Sequence, residues 1–123
     1  MYLDLDTERA RSALLGHVWT DGVDVWRDID TMRRLPAARR LLDAGADPSD
    51  LSVALRAAAL DAAFAVLAAV DAGRDPAGDP GDPGWRLVRT RPDGTLTREQ
   101  VGDLHTELLA LDPSGSGGVD LRR

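Results

Sequence analysis

The sequence contains no cysteine and no lysine, and aromatic side chains are few: three Trp, one Tyr and one Phe in 123 residues. The absence of cysteine excludes disulfides, thiolate nucleophiles and cysteine-ligated zinc. With so few aromatics, the core has to be built mainly from Leu, Val and Ala, and such a core favours closely packed helices over a β-sandwich. The length is that of a single domain that can bury a core without covalent cross-links.

Two common catalytic motifs are also missing. None of the five serines lies in a Gly-x-Ser-x-Gly elbow, the strained turn that exposes the nucleophile of many hydrolases. No glycine-rich segment is followed by Lys-Ser or Lys-Thr, as a phosphate-binding loop requires. From the sequence we therefore expect no catalytic residue, no metal site and no cofactor.

The chain is acidic: 21 Asp and Glu residues oppose 15 cations, all of them Arg, and the net charge is −6. Such a chain without a basic stripe is a poor ligand for nucleic acid, because neutralised phosphates supply most of that affinity. The most apolar segment, residues 51–70, carries Arg56 and Asp61 in its interior, which opposes insertion into a membrane. Residues 1–6 have no basic segment leading into an apolar one, so we expect no secretory signal and a cytoplasmic protein.

Caps, prolines and terminal glycines indicate three of the helices expected in the first 72 residues. They are a first helix capped by Asp6 or Thr7, a second from Pro36 to Asp43 before Gly45, and a third from Leu51 to Ala72, capped by Ser49 or Asp50 and ended by Gly73. The third helix is apolar around most of its circumference. We expect it to be the buried centre of the fold.

Residues 17–26 fit two local structures. Asp21 and Gly22 between alternating apolar residues are typical of a β-hairpin turn. Trp19 and Trp26, however, also belong to a helical stripe, and an isolated two-stranded hairpin is only marginally stable. We therefore favour a helix, a turn at Asp21-Gly22 and a further helix.

The pattern changes after the long helix. Residues 73–84 contain three Asp-Pro steps and no apolar anchor, which is typical of a flexible loop. Residues 85–97 alternate around a Pro-Asp-Gly turn and predict a small β-strand or hairpin. Thr97 and Gln100 form a capping-box pattern, so a last amphipathic helix is expected to begin there.

Together these patterns predict a mainly α fold. The expected architecture is a compact bundle of four or five helices around the central alanine-rich helix, with the small β element near residues 85–97. We expect one helical domain over residues 1–112 and a disordered, Gly- and Ser-rich tail over residues 113–123.

The two histidines are the first residues to consider for catalysis at neutral pH. His17 lies four residues before Asp21, and with Asp24 and Asp28 it suggests a conceivable metal site of carboxylates and one imidazole. His105 lies at the edge of the apolar stripe of the last helix, and the residue spacing indicates no catalytic partner for it. A small enzyme or metal-binding protein with a His/Asp site assembled by the fold is therefore an alternative function.

Large and cationic side chains are the better candidates for an interface, since Trp and Arg are enriched at the positions that dominate binding energy. Trp85 directly follows the loop, and the strand after it carries two arginines on opposite faces. The four residues that we predict to bind a partner are Trp85, Trp26, Arg86 and Arg89.

We therefore expect a small non-catalytic protein-binding domain with a regulatory, adaptor or inhibitory role. An acidic single domain of this size suits an immunity- or antitoxin-like inhibitor whose acids fill a basic cleft of its partner. A further alternative is a structural subunit that forms homo-oligomers through the alanine-rich helix.

Overall fold

A computed structural model describes residues 4–122, so part of the segment on which the secretory-signal expectation rests, residues 1–3, lies outside it. The described chain forms five α-helices and one two-stranded antiparallel sheet: α1 Leu5–His17, α2 Ile29–Arg33, α3 Pro36–Asp43, α4 Pro48–Ala72, β1 Val88–Thr90, β2 Leu96–Gln100 and α5 Leu104–Leu108. A π-helical segment spans Val18–Val23, and 3-10 helices span Asp24–Arg27, Leu109–Leu111 and Val119–Arg122. The predicted fold class, mainly α with a small hairpin, is confirmed.

Several helix boundaries follow the predicted chemistry. The span of α3 is the predicted one, and Gly45 and Gly73 adopt the left-handed conformation, with φ of 98° and 74°, that ends a helix. Two caps lie earlier in the chain than predicted. Asp4 caps α1, and Asp47 caps α4 by accepting hydrogen bonds from the two backbone N–H groups that follow Pro48.

The chain beyond α1 stays helical, so the predicted turn at Asp21-Gly22 is wrong, and so is the hairpin alternative. Four residues advance an α-helix by about 40° beyond a full turn. The wider π-helical turn reverses this drift and keeps Trp19 and Val23, which are four apart, on the same side as Leu15. All three side chains are buried, so core packing decides the conformation of this segment.

The core lies between α1, α4 and α5. Trp19 and Leu104 are 1% and 0% exposed, and they pack with Leu60 of α4 and Leu108 of α5. The Trp19 indole N–H donates a hydrogen bond of 2.7 Å to the carbonyl oxygen of Leu108. This bond satisfies a buried donor and fixes the orientation of the largest core side chain.

α4 buries one side only. It packs against α2, α5, the helical segment after α1 and the last 3-10 helix. Its buried side chains, Ser52, Arg56, Leu60 and Leu67, form one stripe. The expectation that α4 is the buried centre of the fold is therefore wrong for its opposite face, which is exposed.

The hairpin near residues 85–97 is confirmed, although its first strand begins only at Val88 and its second strand continues to Gln100. β1 and β2 are joined by a turn in which Gly94 has a φ of 87°, and the Thr97 hydroxyl donates to the carbonyl oxygen of Arg89 at 2.7 Å. The capping box at Thr97 and Gln100 is wrong, because both residues belong to β2 and α5 begins four residues after Gln100.

Residues 113–122 pack onto the bundle instead of forming the expected disordered tail. The buried carboxylate of Asp112 accepts hydrogen bonds from Ser114, from the Ser116 hydroxyl and from the backbone N–H of Gly118. Burial raises the pKa of Asp112, but these hydrogen bonds outweigh it and hold the pKa below its ordinary value. The turn that they form places Leu121, 5% exposed, in the core.

We predict that Leu121→Ala lowers the free energy of unfolding by about 2 kcal/mol or more, because a buried Leu is lost from the core. Val119→Ala is the matched control: Val119 lies in the same short helix but is 56% exposed, so its truncation should cost less than about 0.5 kcal/mol. Urea unfolding of the two variants and the parent measures the difference. Equal stability of the two variants would show that the segment does not pack as described.

Candidate functional site

A cluster of partly buried polar groups lies where the last turn of α4 meets the start of α5. One carboxylate oxygen of Asp71, Oδ2, accepts a hydrogen bond of 2.9 Å from the backbone N–H of His105 and another from Nδ1 of its ring. α5 has no side-chain cap of its own, and Asp103 before it adopts the left-handed conformation with a φ of 54°. Asp71 therefore caps α5 from a different helix.

Asp71 and His105 are electrostatically coupled. The Asp71 side chain is 10% exposed, and its Oδ1 atom is buried without a hydrogen-bond partner among residues 4–122. Burial raises the pKa of Asp71, but the hydrogen bonds from the backbone and ring of His105 outweigh it and leave the pKa below its ordinary value. Since an ionised carboxylate only accepts hydrogen bonds, the proton shared between the two side chains lies on Nδ1 of His105.

A cleft of about 450 Å³ adjoins this pair. Arg11 lines the cleft, donating from Nε to the carbonyl oxygen of Gly102 at 2.7 Å and pairing with Glu8. The rings of Phe64 and His105 are nearly perpendicular to each other, with a centroid distance of 5.4 Å. The residues that line the cleft include no Ser, Thr or Lys, so the imidazole has no protein nucleophile there to activate.

His17, the other histidine, lies in a different place. Its Nδ1 contacts a carboxylate oxygen of Asp21 at 3.0 Å, and both side chains are largely exposed. Asp24 pairs with an arginine instead, and Asp28 caps α2. The residues suggested for a metal site are thus not assembled around His17, and residues 4–122 contain no group of three or more His, Asp or Glu placed to hold a metal ion.

Trp85 and Trp26, predicted to bind a partner, lie near opposite ends of α4. The Trp85 indole N–H donates to the carbonyl oxygen of Ala69 at 2.8 Å while the side chain stays 46% exposed. The backbone carbonyl oxygen of Trp26 accepts a hydrogen bond of 2.9 Å from Ser52. The contacted α4 residues are 17 positions apart, which corresponds to about 25 Å along a helix.

The two predicted arginines have different surroundings. Arg89 donates to the Thr7 hydroxyl at 3.2 Å and lies 3.6 Å from Asp4, so it holds β1 against the start of α1. Arg86 is exposed. Of the four predicted residues, Trp26 therefore lies far along α4 from Trp85, and Arg86 directly follows Trp85 in the chain.

Sequence reasoning missed the exposed face of α4, which we call the α4 outer face. Its members recur every three or four positions and are all exposed: Ala54, Ala58, Ala62, Ala65, Val66 and Ala69. The one charged side chain that adjoins it between residues 51 and 70, Asp61, pairs with Arg122. An 18-residue stretch of α4 has a mean hydropathy of 1.9, enough by length and composition to cross a membrane, and only 17% of it is buried.

Comparisons with known proteins find no matching family model, no matching curated protein and no matching solved structure.

We predict that Asp71→Ala destabilises the protein at neutral pH by about 1 kcal/mol, the typical cost of replacing a capping Asp by Ala. The folded-state pKa of Asp71 lies below its ordinary value, so the stabilisation is present above about pH 4 and lost as the pH falls through the folded-state pKa. Thermal unfolding of parent and variant between neutral and acidic pH measures the gap. Asp61→Ala, an exposed control, should show little effect, and a pH-independent gap for Asp71→Ala would contradict the cap.

Proposed function

We propose that this protein acts by binding another protein through the α4 outer face, without catalysing a reaction. The observation that carries the proposal is the exposure of an apolar face on a 25-residue helix. Soluble monomers rarely expose extended apolar surface, and where they do it commonly marks an interaction site. A partner that covers this face removes its apolar surface from water, and this burial stabilises the complex.

The shape of the face suits a helix. Ala58, Ala62 and Ala65 present only methyl groups, so the axis of a second helix can approach to the short end of the usual 8–10 Å range. Val66, which is 62% exposed, adds apolar bulk beside them. Trp85 is anchored by its hydrogen bond to Ala69 near one end and stays half-exposed, as an aromatic anchor at an interface requires.

Charge favours a basic helix as the occupant. Exposed acids dominate both ends of α4: Asp50 lies in its first turn, and Asp75, Asp79 and Asp82 outnumber one exposed arginine, Arg74, in the loop that follows it. Two copies of a chain with a net charge of −6 repel each other, whereas a helix flanked by Lys or Arg is attracted to both ends of the face. A basic amphipathic helix of a different protein is therefore the expected partner, and an inhibitory or adaptor role of the immunity or antitoxin type fits it.

The test is photocrosslinking in the native cell with a benzophenone amino acid at Ala65, and at Ala37 as the control. Ala37 is also an exposed alanine, but it lies in α3. We expect a discrete adduct with one other protein from position 65 and none from position 37. An adduct of two copies of this chain would contradict a different protein as partner, and adducts with lipid alone, or none at all, would contradict protein binding.

A second prediction uses charge to block the face. Ala65→Arg should weaken co-purification of the crosslinked partner by at least tenfold. The new guanidinium would be buried without a partner in an apolar contact, and it would repel a basic helix. Ala37→Arg makes the same change outside the face and should leave binding intact. Circular dichroism of both variants checks that the fold is kept, and equal loss of binding in both would place the interface elsewhere.

A further inference from the structure

A second surface has the opposite charge. A cleft of about 680 Å³ lies between α1 and the hairpin, and three arginines, Arg9, Arg89 and Arg91, line it with a single carboxylate, that of Asp6. This composition reverses that of the whole chain, in which acids outnumber arginines. A cationic cleft attracts acidic ligands locally, even when the protein as a whole carries a net negative charge.

Two of these arginines are available to a ligand. Arg9 is 85% exposed, and its one ion pair among the described residues is a 3.9 Å contact with Asp6. Arg91 has no carboxylate partner within residues 4–122. Its guanidinium donates to the carbonyl oxygen of Leu96 at 2.9 Å, which holds it in place on the hairpin. Arg89, in contrast, is already bound to α1 and shapes the cleft wall.

The walls of the cleft suit a narrow, extended chain. Ala10 and Ala13 of α1 and Pro92 of the hairpin contribute small apolar surfaces between the cations. Thr90 of β1 lines the same cleft, and β1 pairs with no strand other than β2 in the described chain, so its second edge offers unpaired backbone groups. Backbone groups at a strand edge and spaced guanidinium groups are together the features that recognise an extended acidic peptide.

We propose that this cleft binds an extended acidic peptide segment, with side-chain carboxylates paired to Arg9 and Arg91. A nucleic acid is the less suitable occupant. Its continuous phosphate charge would extend beyond the cleft over a chain of net charge −6, whereas a peptide can place single carboxylates at Arg9 and Arg91. The proposal concerns a different surface from the α4 outer face and does not rest on the function proposed for that face.

The test is fluorescence anisotropy of the full-length protein with a labelled peptide of alternating Glu and Ser, at low ionic strength. The same peptide with Gln in place of Glu and a single-stranded oligonucleotide are the comparison probes. We expect the acidic peptide alone to bind and added salt to weaken it. Arg9→Gln and Arg91→Gln should each weaken binding by about three- to tenfold, the effect of removing one charge-assisted pair.

Arg98→Gln is the control, because Arg98 is an exposed arginine of β2 that does not line the cleft. Backbone amide shifts provide a second readout, and they should change at Thr90 and Gly94 when the acidic peptide is added. The proposal fails if the acidic peptide does not bind, if the Gln peptide or the oligonucleotide binds as well, or if Arg98→Gln weakens binding as much as Arg9→Gln.

Discussion

The hydrogen bonds from the start of α5 to the Asp71 carboxylate are the constraint on which the rest of the fold depends. A helix of five residues is far too short to be stable alone, and the residue before α5, Asp103, is left-handed and does not cap it. Asp71 supplies the cap from α4 and fixes the position of α5. Leu104 and Leu108 then face Trp19, whose indole N–H reaches the Leu108 carbonyl oxygen. The cap, the core and the π-helical segment are thus one connected arrangement.

This arrangement also explains why α4 is apolar on both sides yet buried on one. The contacts of α4 are made by one side of the helix or by its ends. They are the hydrogen bond to the Trp26 carbonyl oxygen, the cap that Asp71 provides and the packing of Leu121. No described element is left to cover the outer face, since α3 and the hairpin are engaged elsewhere. The alanines of the α4 outer face are therefore exposed because of the topology, and they form the side of α4 on which a further chain could pack.

The sequence predicted features whose causes are local. The span of α3, the glycine that ends α4 and the turn of the hairpin each depend on residues within a few positions of one another. The features that it did not reveal depend on distant contacts: His105 and Asp71 are 34 positions apart, and no periodicity relates them. The same holds for Arg89, predicted to bind a partner, because the Thr7 hydroxyl that it contacts lies 82 positions away. The Gly- and Ser-rich end was misread because its composition indicates disorder, whereas one buried carboxylate, Asp112, organises it.

The charge distribution gives the fold two surfaces that cannot substitute for each other. The acids that flank α4 would repel an acidic peptide, and the arginines of the cleft beside α1 would repel a basic helix. Each surface would therefore reject, by charge rather than by shape, the ligand that we propose for the other. Arg89 is central to this separation: it binds Asp4 and Thr7, so it neutralises an acid at the cleft and leaves Arg9 and Arg91 as the cations that a ligand meets. In this chain the ion pair between Arg89 and Asp4, which holds the hairpin to the start of α1, therefore also sets the sign of the charge in the cleft.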